Sequence, residues 1–407
     1  MSTPTTAPQN TAPTPSRAPR ARWYAAAAAV FCCAWGGNQF TPLLLLYRHL
    51  GGYSEITVDA FLGAYVLGLV PGLLIGGPLS DRHGRKPVLQ WGTALSALSS
   101  AVLCGPGQAW IYAGRFATGI AVGIAMAVGS SWLKELADRT GSPAGARRAS
   151  LSLTAGFALG AGAAGLLAQW APWPMVTPYL LHAALTAPAL LALRTVPETR
   201  TAARQGSLLS DLKVPAAGHR RFCWVVLPMA PWIFGAAGLA YAVTPQLVSP
   251  RIGDWGLLYA TLLTVATLGT GFAVQPLAKR LDTTTTARAV LTAMLVMVTG
   301  VLTAAANAAL PDPLLGLAAA TILGAGYGLA LISGLHEVQR IAPPADLAGL
   351  TGVYYAAAYS GFLLPTLLAA LAPAAPYTAT LLTLAAIATA SLATIASRSR
   401  HHLPHQP

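Results

Sequence analysis

The chain has 407 residues, 55% of them hydrophobic and 9% charged, and carries a net charge of +13. Soluble globular chains hold about 25% charged residues, so this composition excludes a domain whose whole surface meets water. The basic excess points away from nucleic acid as well, because its placement alternates with the apolar segments described next.

Residues 1–22, rich in Pro, Thr and Ala, read as a disordered tail. From Trp23 to Ser397, apolar stretches recur at about the 20-residue length that crosses a bilayer as a helix. First-half spans are predicted near 23–47, 57–79, 87–105, 108–132, 150–171 and 175–195. Second-half spans follow near 222–247, 254–277, 287–308, 313–336, 347–371 and 377–397. The expected fold class is all-α integral membrane, with twelve transmembrane helices in two pseudo-symmetric six-helix bundles, 23–196 and 222–397. Residues 197–221 are the longest internal loop and read as the linker between duplicated halves, and 398–407 as a short tail. Arg17–Arg22 before Tyr24–Trp35 imitates a signal peptide, but the apolar run continues through Leu46 and further spans follow, so an uncleaved first helix is expected.

Numbering the spans sorts the connections onto two sides. All of the 25 Lys and Arg except Arg48, Arg115 and Arg251 fall on one side. The positive-inside rule makes that side cytoplasmic, places both termini there and implies a multi-pass protein of the plasma (inner) membrane. Cys32, Cys33, Cys104 and Cys223 lie in or beside apolar spans, with no metal-site or disulfide spacing, and read as small packing residues. His401, His402 and His405 read as a solvated tail. Neither a metal nor another cofactor is expected.

A faint repeat supports duplication. Pro78-Leu79, followed by Ser80-Asp81-Arg82, matches Pro276-Leu277, followed by Ala278-Lys279-Arg280, and Glu135 closes span 4 as Glu337 closes span 10. Small residues recur at every fourth position in several spans. The stripes are Gly68, Gly72 and Gly76 in span 2, Gly119 and Gly123 in span 4, Gly156 and Gly160 in span 5, and Gly352 in span 11. Lipid tails are as apolar as Leu, so membrane helices associate through close packing, which such stripes permit. They are candidate packing faces, or sliding faces between two rocking halves.

Gly77-Pro78-Leu79-Ser80-Asp81-Arg82-His83-Gly84-Arg85-Lys86 lies between spans 2 and 3. It resembles the signature loop of the major facilitator superfamily at every defining position. Gly114-Arg115-Phe116-Ala117-Thr118-Gly119 is similar to that family's buried-arginine motif. Pro197-Glu198-Thr199 resembles a tripeptide of sugar carriers and drug exporters, and Gly156 to Gly162 a glycine-rich antiporter motif, with Ala161 where that motif usually has proline. In character the chain is similar to the drug:proton antiporter branch. The resemblance implies a secondary transporter working by alternating access, and the neighbourhood of spans 2 and 11.

For the signature loop, Gly77 is expected to let span 2 approach a neighbour, and Asp81 to accept backbone bonds at the start of span 11 near Asp346. Arg82, Arg85 and Lys86 are expected to pair with Glu135, Asp138 or Glu198 and so hold a cytoplasmic gate. For the pathway, Asn38, Gln39, Asp59 and Arg115 are expected to share the outer half of one cavity, with an Arg115–Asp59 pair tuning a proton site. His182, Gln246 and Tyr327, with Trp35, Trp232, Tyr354 and Tyr355, are further polar or aromatic candidates.

Together these readings predict proton-coupled efflux of a hydrophobic or amphipathic small molecule by a monomer in the lipid bilayer, the proton gradient being the driving force. The scarcity of charge suits an apolar or cationic substrate. Proton-coupled nutrient uptake is the alternative, though spans 7 and 10 are largely Ala, Gly and Leu. An integral-membrane enzyme or receptor stands further off, for want of a polar cluster at one depth or a nucleotide motif.

Overall fold

The computed structural model describes residues 23–139, 144–200, 213–343 and 346–401. The proposed N-terminal tail with Arg17, Arg20 and Arg22, most of the linker with Arg204 and Gly206, and His402 and His405 lie outside the described residues.

Among the described residues the helical segments form twelve rods. The first six are α1 (Trp23–His49), α2 (Glu55–His83), α3 (Arg85–Leu103), α4 (Gln108–Asp138), α5 (Gly145–Trp170) and α6 (Thr177–Leu193). The second six are α7 (222–252), α8 (256–281), α9 (Arg288–Ala309), α10 (Pro313–Ile341), α11 (Leu347–Leu371) and α12 (Tyr377–Arg398). Several rods outrun their predicted spans at the end carrying the 77–86 motif, hereafter the signature end. There α2 reaches His83, α4 Asp138 and α10 Ile341. An apolar run stops where hydrocarbon stops, but backbone hydrogen bonding does not, and charged pairs carry the helix on.

The motif expected as a loop is therefore mostly helix. Residues 77–83 are the last turns of α2, and the chain reverses at Gly84 alone, whose φ of +96° favours glycine.

Each half packs chiefly within itself, and the halves meet where α2 lies along α11 and α5 along α8. Ala and Gly recur through the interior beside buried Trp132, Phe61 and Leu69, while Leu67, Leu98, Leu295 and Ile387 point outward. This arrangement suits a lipid environment, where close backbone approach, not burial of large side chains, holds helices together.

The glycine stripes show where approach is tightest. A Cβ on Gly68 would stand 2.0 Å from the Phe116 carbonyl oxygen, and one on Gly119 2.0 Å from that of Tyr65. Gly72 and Gly123 meet backbone at 2.5 Å in the same seam. Stripes of α2 and α4 thus mate inside one half. Gly156 and Gly160 similarly face Phe31 and Trp35 of α1. The sliding-face reading is corrected for these stripes, because backbone in contact with backbone locks rods together. Gly352 does cross between halves, and looser, with Leu74 Cδ2 at 3.1 Å. Gly76 sits in ordinary contact with Ile124 at 3.5 Å, while Gly77 has nothing within 4 Å, so its expected close approach is not made.

Gly119→Ala should therefore lower the apparent Tm of the purified protein by on the order of 5 °C, through overpacking against fixed backbone. Gly77→Ala should leave it unchanged or slightly raised, since alanine is the better helix former in open space. Equal Tm values for the two variants in a thermal-unfolding series would contradict the assigned seam.

Candidate functional site

Near the middle of α1, Pro42 has no N–H to give to the preceding turn, and the helix breaks after Asn38. The break frees backbone carbonyls in the membrane interior. Arg115 of α4 answers it: its guanidinium donates to the Gly37 oxygen at 3.3 Å and the Phe61 oxygen at 3.4 Å. The same group lies over the Phe40 ring at 4.6 Å and the Tyr65 ring at 4.5 Å, which adds cation–π attraction in a desolvated site. Asn38 ties the broken end to α5, donating to the Phe157 oxygen at 3.2 Å, and accepts from Thr41 at 2.8 Å.

Arg115 and Asn38 line a cavity at the interface of the halves, opposite Phe234, Tyr241, Tyr327 and Tyr359 of the second half. Phe234 and Tyr359 stack at 3.8 Å, and Tyr359 donates across the interface to the Met126 sulfur at 3.4 Å. Tyr241 is delivered by a widened helical turn over Leu239–Val243, just before Pro245; such turns recur at functional positions. The cavity holds about 30 Å³, near the space of a single water. A ligand pocket needs about 300 Å³ or more, so this is a shut conformation. Tyr377 of α12 donates to Glu55 of α2 and so joins the halves at the far end. Toward the signature end the halves meet where α2 lies along α11, Leu74 against Gly352, and Asp346 at the start of α11 accepts from the Ala216 N–H of the linker at 3.2 Å.

The expected Arg115–Asp59 pair does not form. Asp59 is wholly buried, yet among the described residues neither carboxylate oxygen has a hydrogen-bond partner, and the charged groups acting on it are Glu55 and Arg48. Side chains at 59 and 61 leave a helix on opposite sides. Arg115, drawn to the Phe61 carbonyl and two rings, has no reason to reach across. Gln39 is also redirected: it donates to Ser100 at 3.0 Å on α3, away from the cavity. Ser100 in turn bonds His182 Nδ1 at 2.7 Å, and His182 Nε2 lies 2.9 Å from the Cys32 carbonyl. A carbonyl only accepts, so the proton sits on Nε2 and Nδ1 accepts from Ser100. His182 and Gln39 thus brace α1, α3 and α6. Tyr327 lines the cavity as a candidate should. Trp232 donates to Ser391 and Tyr354 to the Leu331 carbonyl, both packing roles, while the Gln246 side-chain amide has no hydrogen-bond partner among the described residues.

At the signature end, Arg85 is buried between two carboxylates, Asp81 and Glu135, at 2.9 Å each, and also reaches Ser80. Arg200 adds a longer contact to Asp81 at 3.7 Å. Glu198 does not pair with the cations as expected. Its carboxylate accepts from the backbone N–H groups of Arg85 (3.0 Å), Lys86 (2.9 Å), Thr199 (2.8 Å) and Arg200 (2.9 Å). Two of these are the opening donors of α3, the next position being Pro87, which has none. An anion at a helix N-terminus was anticipated, but for Asp81 at α11; the residues just before that rod, 344 and 345, lie outside the described set. Gly84 makes room for the cap, since a Cβ there would stand 2.6 Å from Glu198 Oε2. Asp138 is exposed and has no ion-pair partner among the described residues, because the following Arg139 turns back to the Glu198 and Thr199 carbonyls.

The second half repeats the construction around Glu337, which the repeat had set against Glu135, and adds Asp282 and His336, which the sequence reading did not single out. Arg340 bridges Asp282, at the end of α8, and Glu337, at the end of α10, the latter at 3.2 Å. His336 lies 3.2 Å from the same Asp282, and Arg221 grips Glu337 with two bonds of 2.5 and 2.8 Å. In each half, then, an arginine joins the ends of the second and fourth rods. The available signal was the pair of acids closing corresponding rods, Asp282 lying two residues beyond the basic pair used to align the repeat.

The sequence profile of the Major Facilitator Superfamily matches residues 24–366. A multidrug transporter, MdfA, of Edwardsiella piscicida is 29% identical over 257 residues, 58% of each chain. A multidrug resistance protein, MdtL, of Shewanella oneidensis is 33% identical over 88 residues, which are 21% of this chain and 22% of the relative. The chain thus spans less than two thirds of the length of these curated relatives. Among solved structures, a D-xylose-proton symporter superposes with a TM-score of 0.71 at 14% identity, covering 95% of this chain and 99% of its own. A peptide transporter in complex with sulfate gives 0.72 at 15% identity, covering 94% and 96%. At such identities the structures speak for the fold alone.

Partial burial alone would push the Glu198 carboxyl up, but the N–H donors of Arg200, Lys86, Arg85 and Thr199 outweigh it and hold it below the ordinary glutamate value of 4.5. A carboxyl held low in the fold stabilises it above the unfolded value and ceases to as the pH falls through the folded one. Thermal stability should therefore decline as the pH drops below about 4.5, and Glu198→Gln should flatten that decline while lowering stability at neutral pH by on the order of 1 kcal/mol, the worth of a helix cap. An unchanged acid limb in Glu198→Gln, measured by pH-dependent Tm, would assign the decline elsewhere.

Proposed function

The chain belongs to the major facilitator superfamily, and from that premise we propose that it exports hydrophobic or amphipathic aromatic molecules by alternating access, driven by proton entry. The observation that carries this reading is the aromatic cavity between the halves, shut in the resting protein and lined on the second-half side by Phe234, Tyr241, Tyr327 and Tyr359. Rings of this kind grip apolar and aromatic ligands by area and stacking. The multidrug relatives support export; the symporter likeness bears on the fold only.

Arg115 is the charged side chain lining the cavity. A fixed cation there repels cationic substrates, so the composition-based expectation of an apolar or cationic substrate narrows to neutral or weakly acidic compounds. The distribution of Lys and Arg supports placing the signature end, and both termini, in the cytoplasm. In that frame we assign the inner gate to the seam of α2 with α11, beside the Arg85 cluster that fixes the end of α2, and the outer gate to the Tyr377–Glu55 contact. The proton site we assign is Asp59 without Arg115: a buried carboxyl lacking donors is poorly tolerated as an anion and can be carried neutral.

Cells expressing the protein should accumulate less of a neutral aromatic dye than control cells, about threefold or more, with the difference lost when the proton gradient is collapsed. Higher accumulation in expressing cells would instead select uptake. Asp59→Asn should abolish gradient dependence while preserving substrate binding by the purified protein. If Asp59→Asn transports normally with an unchanged pH profile, the proton site lies elsewhere.

A further inference from the structure

Between α3 and α6, on the outer surface of the first half at the signature end, lies a second cavity of about 330 Å³. It is lined by Pro87, Gln90, Trp91 and Ala94 of α3 and by Leu190 and Arg194 at the end of α6. The α3 residues fall on one face at helical spacing, as do Leu190 and Arg194. Trp91 is 76% exposed, which for an indole at the end of a membrane rod marks the headgroup level.

The electrostatics of the mouth are one-sided. Arg194 is exposed and has no ion-pair partner among the described residues, and no acid lines the cavity. Lys86 is held beside it, its ammonium donating to the Arg194 carbonyl at 2.6 Å. That bond also occupies a carbonyl at the end of α6, where the helix would otherwise present negative charge. Glu198, the carboxylate of the adjoining segment, is spent on the backbone donors of Arg85 and Lys86 and does not line the cavity. The result is an apolar trough running along two rods, topped by two cations and an indole.

We propose that this trough binds an anionic phospholipid, its acyl chain along Trp91, Ala94 and Leu190 and its phosphate at Arg194 and Lys86. The guanidinium fork matches phosphate geometry. A soluble anion would leave the apolar wall unused. A zwitterionic lipid would bring an ammonium toward two cations, which an uncharged glycerol headgroup does not. Basic pockets between rods at the headgroup level select anionic lipids on this same principle.

The test reconstitutes the full chain in phosphatidylcholine vesicles containing a minor fraction of acyl-brominated phosphatidylglycerol or acyl-brominated phosphatidylcholine. Quenching at Trp91 is isolated as the difference between the unmodified protein and Trp91→Phe. Brominated phosphatidylglycerol should half-quench Trp91 at about a fivefold lower mole fraction than its zwitterionic counterpart. Arg194→Gln should erase that preference and Arg194→Lys retain most of it. Arg147→Gln, an exposed arginine elsewhere at the same end, should leave it intact. Equal quenching by the two lipids overturns the proposal. So does an equal loss in Arg147→Gln, which would mean diffuse charge, or loss of the preference on adding inorganic phosphate, which would mean a soluble-anion site.

Discussion

Hydrocarbon offers a backbone no hydrogen bonds, and every departure from continuous helix must be satisfied by the protein itself. The consequences of one such departure organise the first half. Pro42 interrupts α1, and Arg115 supplies donors to the Gly37 carbonyl while Asn38 stitches the broken end to α5. A cation is thereby fixed at the centre of the molecule for a structural reason, and the character of the central cavity follows from it. Rings gather on both sides of the guanidinium, the cavity acquires a positive wall, and a buried acid two residues from one of the acceptor carbonyls is left without a partner.

The architecture was legible in the sequence because hydropathy and charge distribution are summed quantities, insensitive to any one contact. The signature motif was legible as well, since its residue types are fixed by a backbone reversal at Gly84 and by paired charges. Which carboxylate does what was not. Asp81, Glu135 and Glu198 are alike as letters, and only the folded geometry puts Glu198 on the α3 donors and Asp81 beside Arg85. Asp59 and Arg115 likewise looked like a pair because depth along neighbouring rods can be read from sequence, whereas rotation about each rod cannot. Tyr327 apart, the cavity-lining rings of the second half escaped notice for a related reason. Tyr359 and Phe362 stand three apart in an Ala- and Gly-rich segment, a spacing that also suits lipid-facing anchors.

The two halves solve the same problem with different parts. Each ends its second and fourth rods in a carboxylate and bridges them with arginine, but Arg85 comes from the start of the third rod and Arg340 from the end of the fourth. Glu337 is the more deeply enclosed, with Arg221 completing its shell and reaching on to the Ser399 carbonyl. A buried ion pair is costly to break by halves, so the second-half cluster is suited to holding rods together. The more exposed first-half cluster, with Arg200 contributed from beyond α6, is better placed to exchange partners.

One further consequence lies in α2. Its 29 residues make a rod of about 43 Å, carrying Glu55 at one tip and Asp81 near the other. The Gly68 and Gly72 seam clamps its middle to α4, so the rod turns with its half as a lever about a central fulcrum. A tilt of about 10° then displaces the two tips by about 4 Å in opposite senses. Pro71 removes a backbone hydrogen bond at the middle of the rod, and the Gly68 and Gly72 seam beside it supplies the stiffness; a beam so held cannot swing both tips outward at once. The protection against a leak open to both sides of the membrane therefore resides in the rigidity of the glycine seam, remote from either tip.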